Sequence, residues 1–307
     1  MGRGTQLMTE MTEKQAYTLI MNPSSGGGRS RQLLPEVEGR LDELRVPFRV
    51  EKTRSLEHGV DLAFEAIDAR EIPVVMSGDG LVGAVGGAMA GVDYPLGLIP
   101  AGRGNDLARG LGIPTDPSAA VDCLVAGHTR MLDVGDANGE RFLGIASVGF
   151  DSDANRIANE AKLLKGQPVY AYAALRALAS WKPARFTLIE NGVQSRMTGY
   201  TVAVANNGFY GGGMNVAPDA VIDDGKLDVI TIGEVSKIKF LLNLPKVFKG
   251  THVEDNDVIG SHRTSSIELK ASRPFTVYAD GDPLTELPAT IKVIPRSLKM
   301  IVPEPVA

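Results

Sequence analysis

Cysteine is almost absent. Cys123 stands alone in 307 residues, so no intramolecular disulfide can brace the fold, and a reducing cytoplasm suits the chain. Histidine is scarce too: His58, His128, His252 and His262 lack the spacing of zinc ligands, which removes a zinc site from consideration. No apolar run approaches the length that crosses a bilayer. Residues 1–15 are polar and lack the apolar stretch of a signal peptide; the first dozen read as a tail. Positive charge is not in excess either. A formal net charge of −5 argues against nucleic acid as a partner of the whole chain. What is present is a 43% hydrophobic content, enough to close ordinary cores, and a length that accommodates two domains.

The first half alternates strand and helix patterns. Residues 16–21 read as a buried strand, and Leu33, Leu34, Val37, Leu41 and Leu44 recur at helical spacing, with Pro35 placed in a first turn. Residues 48–50 form a short strand. Ser55 caps a helix predicted to turn Val60, Ala63, Phe64 and Ile67 inward. Residues 74–76 and 96–99 are further strands. Such alternation predicts an α/β domain, a parallel sheet with helices on both faces. After about residue 130 the pattern changes. Residues 130–136, 141–149, 184–190, 197–206, 227–232, 265–270, 275–279 and 291–294 read as strands, many separated by Asn-Gly or Asp-Gly turns. This half should be mainly antiparallel and β-sandwich-like, with helical insertions near 153–181 and 236–249. The expected domains are residues 12–134 and 135–305, with the last strand able to return to the first domain.

Three glycine-rich loops follow predicted strands, where parallel sheets bind ligands: Asn22-Pro23-Ser24-Ser25-Gly26-Gly27-Gly28, Ser77-Gly78-Asp79-Gly80, and Gly102-Arg103-Gly104-Asn105-Asp106. Glycines let backbone approach a bulky anion, and a carboxylate among them suits a metal-bound phosphate better than a bare one. Together they point to a nucleotide with a divalent cation. Gly78-x-Gly80-x-x-Gly83 also fits the dinucleotide fingerprint formally. That motif needs a ribose-binding acid about 20 residues on, and the next strand ends instead in Pro100-Ala101-Gly102.

The order and spacing of these loops, with Leu81 after Gly80 and Leu107-Ala108 after Asp106, resemble the diacylglycerol kinase catalytic-domain superfamily and its soluble bacterial lipid kinases. The resemblance continues through Leu164-Lys165-Gly166, Tyr170-Ala171-Tyr172, Asn206-Asn207, Tyr210-Gly211-Gly212-Gly213, Ala217-Pro218-Asp219-Ala220, Asp223-Asp224-Gly225-Lys226 and Asp280-Gly281-Asp282. It implies ATP and Mg2+ as cofactors and a lipid alcohol, diacylglycerol foremost, as acceptor. ATP would lie against Asn22, Pro23, Ser24, Ser25, Gly26, Thr53, Gly78, Asp79, Gly80, Leu81, Gly102, Arg103, Gly104, Asn105 and Asp106, with backbone N–H groups of residues 24–28 cradling phosphate. Asp79 and Asp106 would hold magnesium. Asp280, and with a shortened reach Asp282, would serve as catalytic acids beside Asp79. Asp224, with the carbonyls of Val221 and Lys226, would hold a second, structural magnesium; an ordinary Asp-Gly turn is the alternative.

The chain departs from the family at Gly83-Ala84, where Asn-Glu is common, and at Arg103, which puts a cation in place of a hydroxyl. Residues 236–249 carry Lys237, Lys239, Lys246 and Lys249 and no acid. They read either as a lipid-docking segment or as a surface helix with solvated lysines. Apolar residues of 157–181 (Ile157, Leu163, Leu164, Tyr170, Tyr172, Leu175, Leu178 and Trp181) are a second candidate lipid wall. The expected setting is cytoplasmic and peripheral at the membrane surface, with transient membrane contact and a possible homodimer. Two other functions stay open: an enzyme like the NAD kinases, and a non-catalytic nucleotide- or lipid-binding module.

Overall fold

The computed structural model describes residues 15–150, 152–153, 176, 178, 180–254 and 258–304. Most of the 153–181 insertion lies outside them, including the 164–166 and 170–172 motifs and six of the eight wall residues; Leu178 and Trp181 are described and buried.

The first sheet is parallel, in the order β2 (Phe48–Lys52), β1 (Tyr17–Met21), β3 (Ile72–Ser77), β4 (Gly97–Pro100). Alternating side chains of each strand face opposite layers. Tyr17, Leu19, Met21, Val74, Met76 and Ile99 meet α1 (Arg29–Glu43) and α5 (Pro117–Ala126). Ile20, Val75 and Leu98 meet α2 (Leu56–Asp68) and α3 (Asp79–Met89). Helix α4 (Asp106–Leu111) follows the third glycine loop.

Two local expectations are corrected. Pro35 lies inside α1, beyond its first turn, since the helix starts at Arg29. Helix α2 buries Gly59, Leu62, Ala63 and Ala66, and Phe64 is exposed. The reason is close approach to α3: a β-carbon on Gly59 would sit 2.5 Å from Leu81 Cδ1, so α2 rolls its smallest residue toward its neighbour.

The second half is one antiparallel sheet of 11 strands among the described residues. Its main path runs β16 (Asp282–Glu286), β15 (Thr276–Ala279), β7 (Ile145–Gly149), β9 (Val193–Ala205), β8 (Ala184–Glu190), β14 (Ser266–Ala271), β17 (Ala289–Ile301), β5 (Thr129–Ala137), β6 (Glu140–Phe142). Strand β12 (Leu227–Gly233) pairs with β9 and with β13 (Ile259–Thr264). The sheet wraps a core that includes Phe142, Phe186, Tyr200, Val202, Val229, Ile267 and Ile291. A small hairpin, β10 (Phe209–Tyr210) and β11 (Met214–Asn215), stands apart, and α6 (Lys237–Lys249) packs beside it.

Strand β17 joins the halves. Its register with β5 shifts between Ile294 and Leu298. Beyond the shift, Leu298, Met300 and Ile301 enter the cores of the first domain. Leu96 bridges to Met300 in parallel, through Leu96 N to Lys299 O and Ile301 N to Leu96 O, both 2.9 Å. Buried Asp133 secures the irregular stretch by accepting from Arg296 N at 2.7 Å and Gly225 N at 2.6 Å.

Candidate functional site

The three glycine loops meet at the carboxyl edge of the parallel sheet. Contact is backbone to backbone: a β-carbon on Gly102 would lie 2.4 Å from Gly78 Cα, and one on Gly26 would lie 2.8 Å from the Ala101 carbonyl oxygen. Only glycine fits at those crossings. Asn105 braces the third loop by accepting from Gly102 N at 2.8 Å, from a left-handed backbone (φ 51°). Ser25 Oγ donates to Ala101 O at 3.3 Å, tying the first loop to the third.

The phosphate cradle is smaller than expected. Ser24 N donates to Asn22 Oδ1, Ser25 N to Asn22 O, Gly27 N to Ser24 O and Gly28 N to Ser25 O. Those groups close the turn after Pro23. Arg31 N and Gln32 N donate to Gly28 O, so the donors left for an anion are Gly26 N and, at the start of α1, Arg29 N and Ser30 N, next to the positive end of the helix. The Arg103 side chain reaches the same place: Nη2 lies 3.6 Å from where a β-carbon on Gly27 would be. Two other residues expected at the nucleotide turn their side chains away. Thr53 is buried and its hydroxyl donates to Ser55 O at 2.5 Å. The Leu81 side chain is only 2% exposed, packed on α2, because it falls on the buried face of α3.

Asp79, Arg103, Gly104, Asp106 and Leu107 from the first domain line one cleft with Leu143, Gly144, Asn207, Phe209, Tyr210 and Asp280 from the second. Asp79 Oδ1 accepts from Leu107 N at 3.0 Å. Asp106 accepts from Arg109 Nη1 at 2.7 Å and from Gly212 N at 2.7 Å. Oδ2 of Asp79 and Oδ2 of Asp106 lie 2.9 and 3.1 Å from the point a β-carbon on Gly104 would occupy, so they face a common space. Magnesium takes few protein oxygens and completes its octahedron with water and phosphate. Among the described residues no group of three or more His, Cys, Asp or Glu forms a metal cage; the pair fits a magnesium shared with phosphate.

Asp280 comes from the turn between β15 and β16, with φ 53° at Asp280 and 97° at Gly281. The hairpin expected of Asp-Gly and the acid expected of the motif are one structure. Its Oδ2 accepts from Leu143 N at 3.1 Å and Gly144 N at 3.3 Å. These N–H groups are available because the strand expected over 141–149 breaks there into β6 and β7. Burial, then the nearby charge of Asp79, pushes the Asp280 carboxyl up to about 6 against the Leu143 and Gly144 N–H groups. Asp79 is raised by burial and by Asp106, and Leu107 N opposes the shift. Asp282, with its Oδ2 against Gly80, is raised by partial burial of its carboxyl.

The departure at Gly83 has a physical reading. A β-carbon there would stand 3.2 Å from Asp280 Oδ2, and one on Gly144 would stand 2.1 Å from Asp280 Oδ1. The two glycines form the seat of this carboxylate.

Sequence reasoning missed Arg109, three residues after Asp106 and thus on the same face of α4. Asn206-Asn207, part of the family resemblance, have side-chain partners that their motif does not specify. Asn206 Nδ2 donates to Asp133 O and Leu143 O, and Asn207 Nδ2 to Asp106 O at 3.0 Å; they lace the two domains together. The loop proposed for a second magnesium is elsewhere. Asp224 Oδ1 accepts from Lys226 N at 2.9 Å, and its Oδ2 lies 3.5 Å from Arg263. Val221 is exposed.

Comparison with known proteins agrees with this layout. Residues 16–137 match the family described as the diacylglycerol kinase catalytic domain. Residues 144–302 match the YegS C-terminal NAD kinase beta sandwich-like domain, so the NAD kinase likeness belongs to the second half alone. The chain is similar to a diacylglycerol kinase of Mycobacterium tuberculosis, 36% identical over 295 residues that cover 93% of this chain and 94% of the relative. A diacylglycerol kinase of Bacillus subtilis is 26% identical over 294 residues, covering 93% and 96%. The crystal structure of a diacylglycerol kinase from Bacillus anthracis shares the fold, with a TM-score of 0.73, 21% identity and coverage of 94% and 97%.

Proposed function

The chain belongs to the diacylglycerol kinase family of lipid kinases, and from that premise we propose that it transfers the γ-phosphoryl group of ATP to a lipid hydroxyl, with diacylglycerol the leading acceptor. The observation that carries this reading is the convergence of Asp280, from one domain, with Asp79 and Asp106, from the other, on a single cleft.

Each group has a part. Gly26 N, Arg29 N and Ser30 N at the start of α1, and the Arg103 guanidinium bind phosphate oxygens through hydrogen bonds and charge. Asp79 and Asp106 would hold magnesium, which when bound neutralises charge on the transferred group. Asp280 orients the acceptor hydroxyl and takes its proton as the oxygen bonds to phosphorus and the bond to ADP breaks. A carboxylate with a pKa of about 6 is a stronger base than an ordinary one and still ionised at neutral pH. The reading assigns Asp282 a supporting place beside Gly80 and gives the Asp224 loop no catalytic part.

The test is direct. Purified protein is incubated with radiolabelled ATP, magnesium and separate acceptors: dioleoylglycerol in detergent micelles, sphingosine, and NAD. Products are resolved by thin-layer chromatography. Labelled phosphatidic acid that disappears with Asp280→Asn is the expected result. Label in NADP, or in no acceptor at all, would sink the proposal.

A further inference from the structure

We propose that the outward face of α6 docks on an anionic phospholipid bilayer; this deepens the lipid kinase reading and rests on it for its purpose. Helix α6 is anchored from within. Ser236 caps its start by accepting from Lys239 N at 3.2 Å, and Phe240 stacks on Tyr200 with ring centroids 4.6 Å apart and meets Phe150 edge-on at 4.9 Å.

Among the described residues no protein layer covers the opposite face. Ile238 is 71% exposed, Leu241 41%, Leu242 72% and Phe248 54%. These are four of the eight large exposed hydrophobics among the described residues, gathered in one helix with no buried residue. With Pro245 they fall at i, i+3, i+4, i+7 and i+10, which is one stripe along the helix. A contiguous apolar stripe of this kind marks a surface that meets something.

Charge selects the occupant. The helix holds Lys237, Lys239, Lys246 and Lys249 and no acid, in a chain of net charge −5. At 100° per residue, Lys239 and Lys246 border the stripe on one side and Lys237 on the other. Apolar residues flanked by lysines are the pattern of a helix lying in the interface of anionic lipid. A second copy of the chain would set lysines against lysines.

Position supplies the purpose. Helix α6 packs on β11, the partner of β10, whose Phe209 and Tyr210 line the cleft. A β-carbon on Gly250, at the end of α6, would come within 2.8 Å of Asn215 in β11, so helix and hairpin meet closely. Docking α6 therefore brings the cleft to the surface where a lipid alcohol resides.

The experiment is flotation with vesicles of phosphatidylglycerol and phosphatidylcholine, against vesicles of phosphatidylcholine alone. Wild-type protein should float with the anionic vesicles only. The pair Ile238→Glu and Leu242→Glu should lower the bound fraction by about tenfold or more, with the melting temperature unchanged because both positions are exposed. Lys246→Glu with Lys249→Glu should lower it as well. In kinase assays the Ile238→Glu/Leu242→Glu protein should keep its turnover of dioctanoylglycerol dispersed as monomers and lose turnover of diacylglycerol in vesicles. Flotation is independent of catalysis, so a failed kinase assay leaves this test standing. Equal binding by wild type and the glutamate pair overturns the proposal. So does a wild-type dimer that the glutamate pair converts to monomer without any vesicle binding, which would make the stripe a contact between copies.

Discussion

Asp280 is held in a left-handed turn, with its carboxyl packed against Gly83 and Gly144, and both features have measurable consequences. Its folded pKa of about 6 lies above the ordinary 3.8. The folded chain therefore holds this proton more tightly than the unfolded chain does, and folding loses stability as pH rises from about 4 to about 6. Asp280→Asn should remove that cost. We expect it to raise stability at pH 7.5 by about 1–3 kcal/mol, with the gain fading below pH 5; urea denaturation at the two pH values measures it. The same substitution should lower kcat by roughly 10²–10⁴-fold. In the wild type, kcat/KM should climb with pH through about 6 and then level off, because only the ionised carboxylate takes a proton. A pH–rate profile flat between 5 and 7 contradicts that role. The glycine seat gives an ordering. Gly144→Ala places a β-carbon 2.1 Å from Asp280 Oδ1, which must move, and should cost activity by about 10²-fold. Gly83→Ala demands a shift of a few tenths of an ångström and should cost less, which steady-state kinetics on the two variants would compare.

At the scale of elements, α1 tolerates Pro35 well inside its length, where the ring removes a helical hydrogen bond. The residue is exposed, so Pro35→Ala has no packing to lose. It should raise stability by about 1–2 kcal/mol, read as a higher melting temperature with unchanged activity. Much of the element order was legible in sequence, because β1, β3 and β4 are apolar on both faces and end in glycine loops. The hairpins at Asn138-Gly139, Asn191-Gly192 and Asp280-Gly281 carry their own turn chemistry, and all six residues have positive φ. The failures are as physical. The interruption at Leu143-Gly144 is invisible in an apolar run, since it exists to present N–H groups to a carboxylate 136 or more residues away. The buried face of α2 is hidden in sequence because Phe64 looks like a core residue, and the space left by Gly59 appears only once α3 is beside it. Strands β10, β11, β13 and β16 have no counterpart among the expected strands: two are only two residues long, and β13 and β16 are polar and mostly exposed. In the site, the acids were readable from their loops. Which N–H groups remain for phosphate was not, because that depends on how the turn after Pro23 closes on itself.

For the whole molecule, β17 has the largest consequence. Leu298, Met300 and Ile301, with Val302 just after them, are buried in the first domain's cores, although the strand that carries them begins in the second. A chain ending at Pro295 should lose the first domain's cooperative unfolding, not merely shorten the second sheet. Circular dichroism melts of the truncated protein would test this; a transition unchanged from the full chain refutes it. The same strand limits how the cleft can open. It pairs with β14 at one end, with Leu96 at the other, and with β5 on both sides of the register shift, so neither half can slide past its neighbour. Strand β5 runs unbroken past the interrupted stretch at 295–297, and Asp133 pins that stretch through Arg296 N. Asp280 and Asp79 are thereby held on opposite sides of one cleft by a single shared strand. A lipid and a nucleotide brought in from opposite sides would meet at the same separation in every turnover.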